Sequence, residues 1–99
     1  MIHYEVTLEC SAAIAPDVER WMRAAHIPDM LATGCFSAVH LDRADGRLRT
    51  VYEAATQQRL DRYLDEYAAG MRDAFRQQFP DGVGVSREVW EQVQAWPQP

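Results

Sequence analysis

From Ile2 to Cys10 the chain alternates without a break between two kinds of side chain. Ile2, Tyr4, Val6, Leu8 and Cys10 fall on one side, His3, Glu5, Thr7 and Glu9 on the other. A period of two over nine residues, rich in β-branched and aromatic types, specifies a strand with one face turned to a core. Everything that follows must cover that face.

The next segments supply the cover. Pro16 suits a first helical turn, and Asp17 and Glu19 sit where a helix N-terminus favours negative charge. Val18, Trp21, Met22 and Ala25 recur at helical spacing as a buried stripe. Pro28 is expected to break this helix, because it cannot donate to the carbonyl four residues back and it restrains Ile27. A short turn would resume over 28–33, and Gly34 is a natural left-handed stop.

A second strand is expected over 35–42, with Cys35, Ser37, Val39 and Leu41 on one face and Phe36, Ala38 and His40 on the other. Asp45-Gly46 marks a tight hairpin into a third strand over 47–55. Thr56 can cap one long helix whose apolar stripe, from Leu60 through Tyr63, Tyr67, Met71 and Phe75, reaches Phe79. Gly70 within it suggests a close approach of a neighbouring backbone. Pro80-Asp81-Gly82 turns the chain into a fourth strand over 83–90.

The order β-α-β-β-α-β is the split βαβ pattern. Right-handed crossovers put two helices on one face of a four-stranded antiparallel sheet of order 4-1-3-2. The opposite face, carrying His3, Glu5, Cys35, Val39, Val51 and Trp90, is too mixed for a purely solvated surface. Residues 1–93 form one α+β domain, and 94–99 a short tail.

Three stretches carry a family likeness: MIHYEV at the start, Trp21 followed after four residues by His26-Ile27-Pro28, and Leu31-Ala32-Thr33-Gly34-Cys35-Phe36. In these the chain resembles the DUF4286 family, small bacterial proteins of unknown function. That resemblance implies a ferredoxin-like chain pairing through its open sheet face into a homodimer, a dimeric α/β barrel.

Composition narrows the function. The net charge is −5, all ten basic residues are Arg, and no basic patch stands out. Nucleic acid is therefore not an expected partner. No apolar run approaches a membrane span, and the N-terminus lacks the marks of a signal peptide, so a soluble cytoplasmic protein is expected. Cys10 and Cys35 read as small buried hydrophobes.

The candidate chemical groups are few. His3 and Glu5 lie two apart on a strand and share a side, where a pair can relay a proton or line a dimer cleft. With no further ligand close in sequence, neither a metal nor a cofactor is expected. His26 stands at the helix break as a possible acid, base or ligand contact. Trp90 and Tyr52, from a supply that includes Tyr4, Tyr63 and Tyr67, are candidate contacts for a small apolar or aromatic ligand. Two functions follow. One is a dimeric barrel without enzymatic activity, or one that binds a small ligand. The other is a cofactor-free monooxygenase or isomerase acting on a small aromatic or polyketide-like molecule.

Overall fold

The computed structural model describes residues 1–98; Pro99, the end of the expected tail, lies outside them. Four strands, β1 (Ile2–Cys10), β2 (Ala38–Ala44), β3 (Arg47–Ala54) and β4 (Val83–Glu91), form one antiparallel sheet of order β2-β3-β1-β4. The helical segments are α1 (Ala15–Trp21), a π-helical segment (Met22–His26), α2 (Ile27–Ala32), α3 (Gln57–Glu66) and α4 (Ala68–Gln78).

The β1 alternation is read out directly in the fold. Ile2, Tyr4, Leu8 and Cys10 are buried beneath the helices. Tyr4 lies opposite Tyr52 and Leu8 opposite Leu48 on β3, while Cys10 lies opposite Val83 on β4. Asp45-Gly46 closes the hairpin, with Ala44 paired to Arg47 and Gly46 at φ 70°. The Thr56 hydroxyl accepts the Arg59 amide proton at 3.2 Å and caps α3.

Two expectations are corrected in the helical layer. Trp21, Met22, His26 and Ile27 all keep right-handed helical dihedrals, so Pro28 does not break the rod. The chain instead shifts register. Ile27 donates to the Met22 carbonyl five residues back, and this π turn absorbs the donor that Pro28 lacks. The expected single long helix is bent at Tyr67, whose φ −123° and ψ −31° are not helical. The helical layer is thus three rods, not two: α1 through α2, then α3, then α4. The bend re-aims one apolar stripe at two clusters. α3 gives Leu60 and Tyr63 to a core around Ile2, Tyr4, Phe36 and Tyr52. α4 gives Phe75 and Phe79 to a second core around Leu8, Val18, Met22 and Leu48. Val6 touches both.

The dimeric α/β barrel is also corrected. The sheet is open and does not curl on itself: β2 and β4 are its two edges and lie at opposite ends. A barrel has no such edges.

A fourth correction concerns β2, which begins at Ala38 rather than 35. The Thr33 hydroxyl donates to the Met30 carbonyl at 2.7 Å and accepts the Cys35 amide proton at 3.2 Å. That knot, with Gly34 at φ 75°, uses up residues 33–36 as a turn and buries Cys35 and Phe36. Val39 then lies opposite Tyr52 on the helix-covered side, and His40 opposite Val51 on the open side. Cys35 and Val39 therefore belong to the core, not to the open face. Gly70 has open space where a Cβ would stand, so no backbone approaches it. No helix among the described residues is long and apolar enough to cross a membrane.

Candidate functional site

The polar groups of the helix-covered side gather around one cavity between sheet and helices. It has ≈ 40 Å³ of room for the centres of water-sized molecules, within ≈ 410 Å³ of empty space that opens to solvent. Tyr4 and Tyr52 reach it from neighbouring strands, Tyr63 from α3, Arg72 from α4 and His26 from the π segment. Met22, Met30 and Met71 complete a soft, adaptable wall.

The aromatic rings hold one another in place. The Tyr4 centroid is 6.0 Å from Tyr52 and 5.7 Å from Tyr63, and Phe36 packs 5.3 Å from Tyr52 and 5.0 Å from Tyr63. Such separations and tilts suit the quadrupoles of the rings. Arg72 donates from Nη2 to the Tyr4 hydroxyl at 3.4 Å, which raises the guanidinium pKa further and keeps it charged. The Tyr52 hydroxyl is buried and makes no well-formed hydrogen bond, with Thr50 as a polar neighbour. Burial pushes its pKa up to about 12, against a smaller opposing pull from the Thr50 side chain. Burial raises Tyr63 still further, helped by Tyr4 and Tyr52 and opposed by the charges of Arg72 and Arg87. Both phenols are neutral donors at pH 7.

His26 is held by Trp21, whose ring stacks on it at 5.3 Å, and by the edge of Phe75 at 6.4 Å. Burial lowers its pKa, against the smaller opposing pull of Asp29. The imidazole is therefore neutral near pH 7 and able to accept a proton. The cavity thus offers a proton acceptor, neutral phenolic donors and a fixed cation. That set can bind a small ring carrying an oxygen and stabilise the anion left when it loses a proton.

The sequence candidates divide between the two faces of the sheet. His26 and Tyr52 line the cavity. His3, Glu5 and Trp90 lie on the opposite, open face, with Trp90 directly across from His3. His3 meets Glu53 on the adjoining strand at 3.5 Å, whereas Glu5 is 3.9 Å from Arg49. Glu53 lies directly opposite His3, and Arg49 is the diagonal cross-strand neighbour of Glu5, both within reach of long side chains. The His3 Nε2 atom is buried and makes no hydrogen bond, so its contact with Glu53 is an ion-pair distance only. Trp90 is 55% exposed. Cys10 and Cys35 are free and buried, and burial pushes the Cys10 thiol up and away from reactivity. Among the described residues, no group of three or more His, Cys, Asp or Glu side chains is placed to hold a metal.

Arg72 and Arg87 are functional candidates that spacing alone does not reveal. Arg72 is adjacent to Met71 on the apolar stripe, and Arg87 shares its strand face with Val83, Val85 and Val89. A charge interrupting an apolar face is the available signal, and it gains meaning only when the sheet order brings both to Tyr63.

An open four-stranded α+β sheet with a helix-covered, tyrosine-lined cavity defines the class. Within it, the chain belongs to DUF4286, the domain of unknown function whose family model matches residues 1–93. Among solved structures it is similar to a crystal structure from Deinococcus radiodurans described as a "putative antibiotic biosynthesis monooxygenase". That similarity has a TM-score of 0.68 at 11% identity, covering 100% of this chain and 99% of the other. At that identity the likeness shows the fold alone. No curated protein matches.

Proposed function

We propose that the chain is a cofactor-free monooxygenase, or an isomerase using the same proton-moving groups, acting on a small phenolic or polyketide-like ring in the tyrosine-lined cavity. The observation that carries this reading is the Tyr52 hydroxyl, buried on a cavity-lining residue with no well-formed hydrogen bond. Leaving such a donor unmade costs about 1–3 kcal/mol, a cost that a ligand oxygen would offset. The described fold of the Deinococcus radiodurans protein supports the same class.

In this reading His26 takes a proton from an activated ring position, and Tyr52 and Arg72 hold the resulting oxyanion. Molecular oxygen is the oxidant. A ring methylene loses two hydrogens and becomes a carbonyl with one oxygen atom, and the other oxygen leaves as water. The cavity admits the substrate when the methionine wall moves aside, toward the roughly 300 Å³ and more of ordinary ligand sites. The test is oxygen uptake and quinone absorbance with a hydroxylated anthrone under air. His26→Ala should lower the rate by about 10²-fold or more while remaining folded by circular dichroism. A wild-type rate no higher than that of buffer would end the oxygenase reading.

We also propose that a second copy of this chain covers the open sheet face. Trp90 is more than half exposed there beside half-buried His3, and a large aromatic ring of this kind is a common anchor of an interface. Sedimentation should give twice the monomer mass at about micromolar concentration, and Trp90→Glu should return the monomer. A loading-independent monomer for the wild type would refute it.

A further inference from the structure

A second recess lies at the other end of the sheet, between the first helical rod and the β2–β3 hairpin. It is a groove of ≈ 900 Å³, walled on its apolar side by Ala15, Pro16 and Leu48. Its polar side holds Arg20 on α1, Arg23 on the π segment, Arg43 on β2 and Arg47 on β3, with the carboxylates of Glu19 and Asp45 among them. The protein as a whole is acidic, at −5. A local gathering of four guanidiniums against two carboxylates is therefore a departure from its average surface.

Glu19 organises the gathering. Its side chain is 19% exposed, and Arg43 grips it with two bonds, Nε to Oε1 at 2.6 Å and Nη2 to Oε2 at 2.9 Å. Arg23 reaches the same carboxylate at 3.3 Å. Those hydrogen bonds and charges hold Glu19 below the usual carboxylate range, so it stays ionised. One carboxylate thus serves two arginines. Arg20 turns to Asp17 at 2.8 Å through a single nitrogen. Each guanidinium carries five N–H donors in a rigid fork, and these contacts use only a minority of the donors in the set. The remaining donors belong to side chains that are well exposed and partly pre-oriented from beneath by Glu19.

We propose that this groove binds a small, multiply charged oxyanion, a phosphate ester or a polycarboxylate, held by Arg20, Arg23 and Arg43. Planar guanidiniums recognise both oxyanion types through paired, charge-assisted bonds. Glu19 acts as a positioning residue: it fixes Arg43 and Arg23 and does not touch the ligand. The groove lies apart from the tyrosine-lined cavity, and the two share no lining residue.

The experiment is an NMR titration of the full chain at constant ionic strength with inorganic pyrophosphate, and separately with citrate. Amide shifts of Glu19, Arg20, Arg23 and Arg43 should saturate with a one-to-one isotherm. The double variant Arg20→Gln/Arg23→Gln, at exposed positions that should leave folding intact, should bind about tenfold or more weakly. Arg62→Gln on α3 should bind like wild type. Arg43→Gln should weaken binding too, and a retained amide spectrum separates that loss from unfolding. Saturation by pyrophosphate alone would assign the phosphate class, by citrate alone the carboxylate class, and by both the shared chemistry. Shifts that grow linearly with either anion, or that are unchanged in the double variant, would overturn the proposal.

Discussion

Replacing Tyr52 by Phe removes one oxygen atom and tests the central feature of the cavity. The hydroxyl is buried without a well-formed hydrogen bond, and the ring is 1% exposed, held between Tyr4 and Phe36. A buried donor left unmade costs about 1–3 kcal/mol, while a phenyl ring in the same place keeps nearly all the packing. Allowing for the small void left behind, Tyr52→Phe should stabilise the empty protein by about 1 kcal/mol, or about 4–8 °C in Tm for a domain of this size. The pH dependence gives an independent check. Burial raises the folded-state pKa from 10.0 to about 12, so the unfolded chain ionises first. The stability this phenol contributes is fully present below pH 10 and is lost as pH rises through about 12, by roughly 3 kcal/mol in all. Urea melts of wild type and variant across pH 8–12 should therefore diverge further above pH 10, with the variant falling less. At the same time the variant should lose turnover of the anthrone. A variant destabilised by about 1 kcal/mol or more, with an unchanged alkaline slope, would show that the hydroxyl is satisfied and that the cavity argument is mistaken.

Other perturbations probe the frame around the site. Gly34 sits at φ 75°, so Gly34→Val should cost at least about 1 kcal/mol although no atom obstructs its Cβ; chemical denaturation measures this. Trp21 is partly exposed but packs against His26, Phe75 and Phe79, and Trp21→Ala should cost about 2–3 kcal/mol, below the range of about 3–5 for a wholly buried aromatic. His26 has a lowered folded-state pKa, so the unfolded chain binds the proton first as pH falls. Its contribution is fully present above 6.5 and fades as pH drops through the lowered value. Thermal melts between pH 5 and 8 should show that slope in wild type and lose it in His26→Phe.

Much of the frame is legible in the residues, and the failures have physical causes. The β1 alternation, the Asp45-Gly46 hairpin, the Thr56 cap and the left-handed Gly34 are local signals, and local chemistry decides them. The facing of β2 is not local. The Thr33 hydroxyl bonds lengthen the turn, the strand starts at Ala38, and one residue of slip exchanges its faces. The bend at Tyr67 is equally hidden, because the stripe from Leu60 to Phe79 keeps helical spacing across it. The candidate groups do not all come to one place. His26 and Tyr52 meet at the cavity, yet His3, Glu5 and Trp90, which shared their polar or aromatic character, lie on the other side of the sheet. Sequence names the chemical groups; the number of residues between Gly34 and β3, and the strand order, decide which of them meet.

The π turn at Met22–His26 also fixes a rotational phase. A π turn is an α-helix with one residue too many, and an α-helix advances about 100° per residue. With the extra residue, Val18 and Met22 before it and Met30 after it all turn toward the sheet, and His26 comes to the cavity wall. Deleting Ala24 or Ala25 would restore ordinary helix winding and rotate one half of the rod against the other by about that angle. Either Met30 would swing out of the core or Val18 would. The rod is thus a lock with two settings separated by a single codon, and the longer one sets an imidazole in the cavity wall.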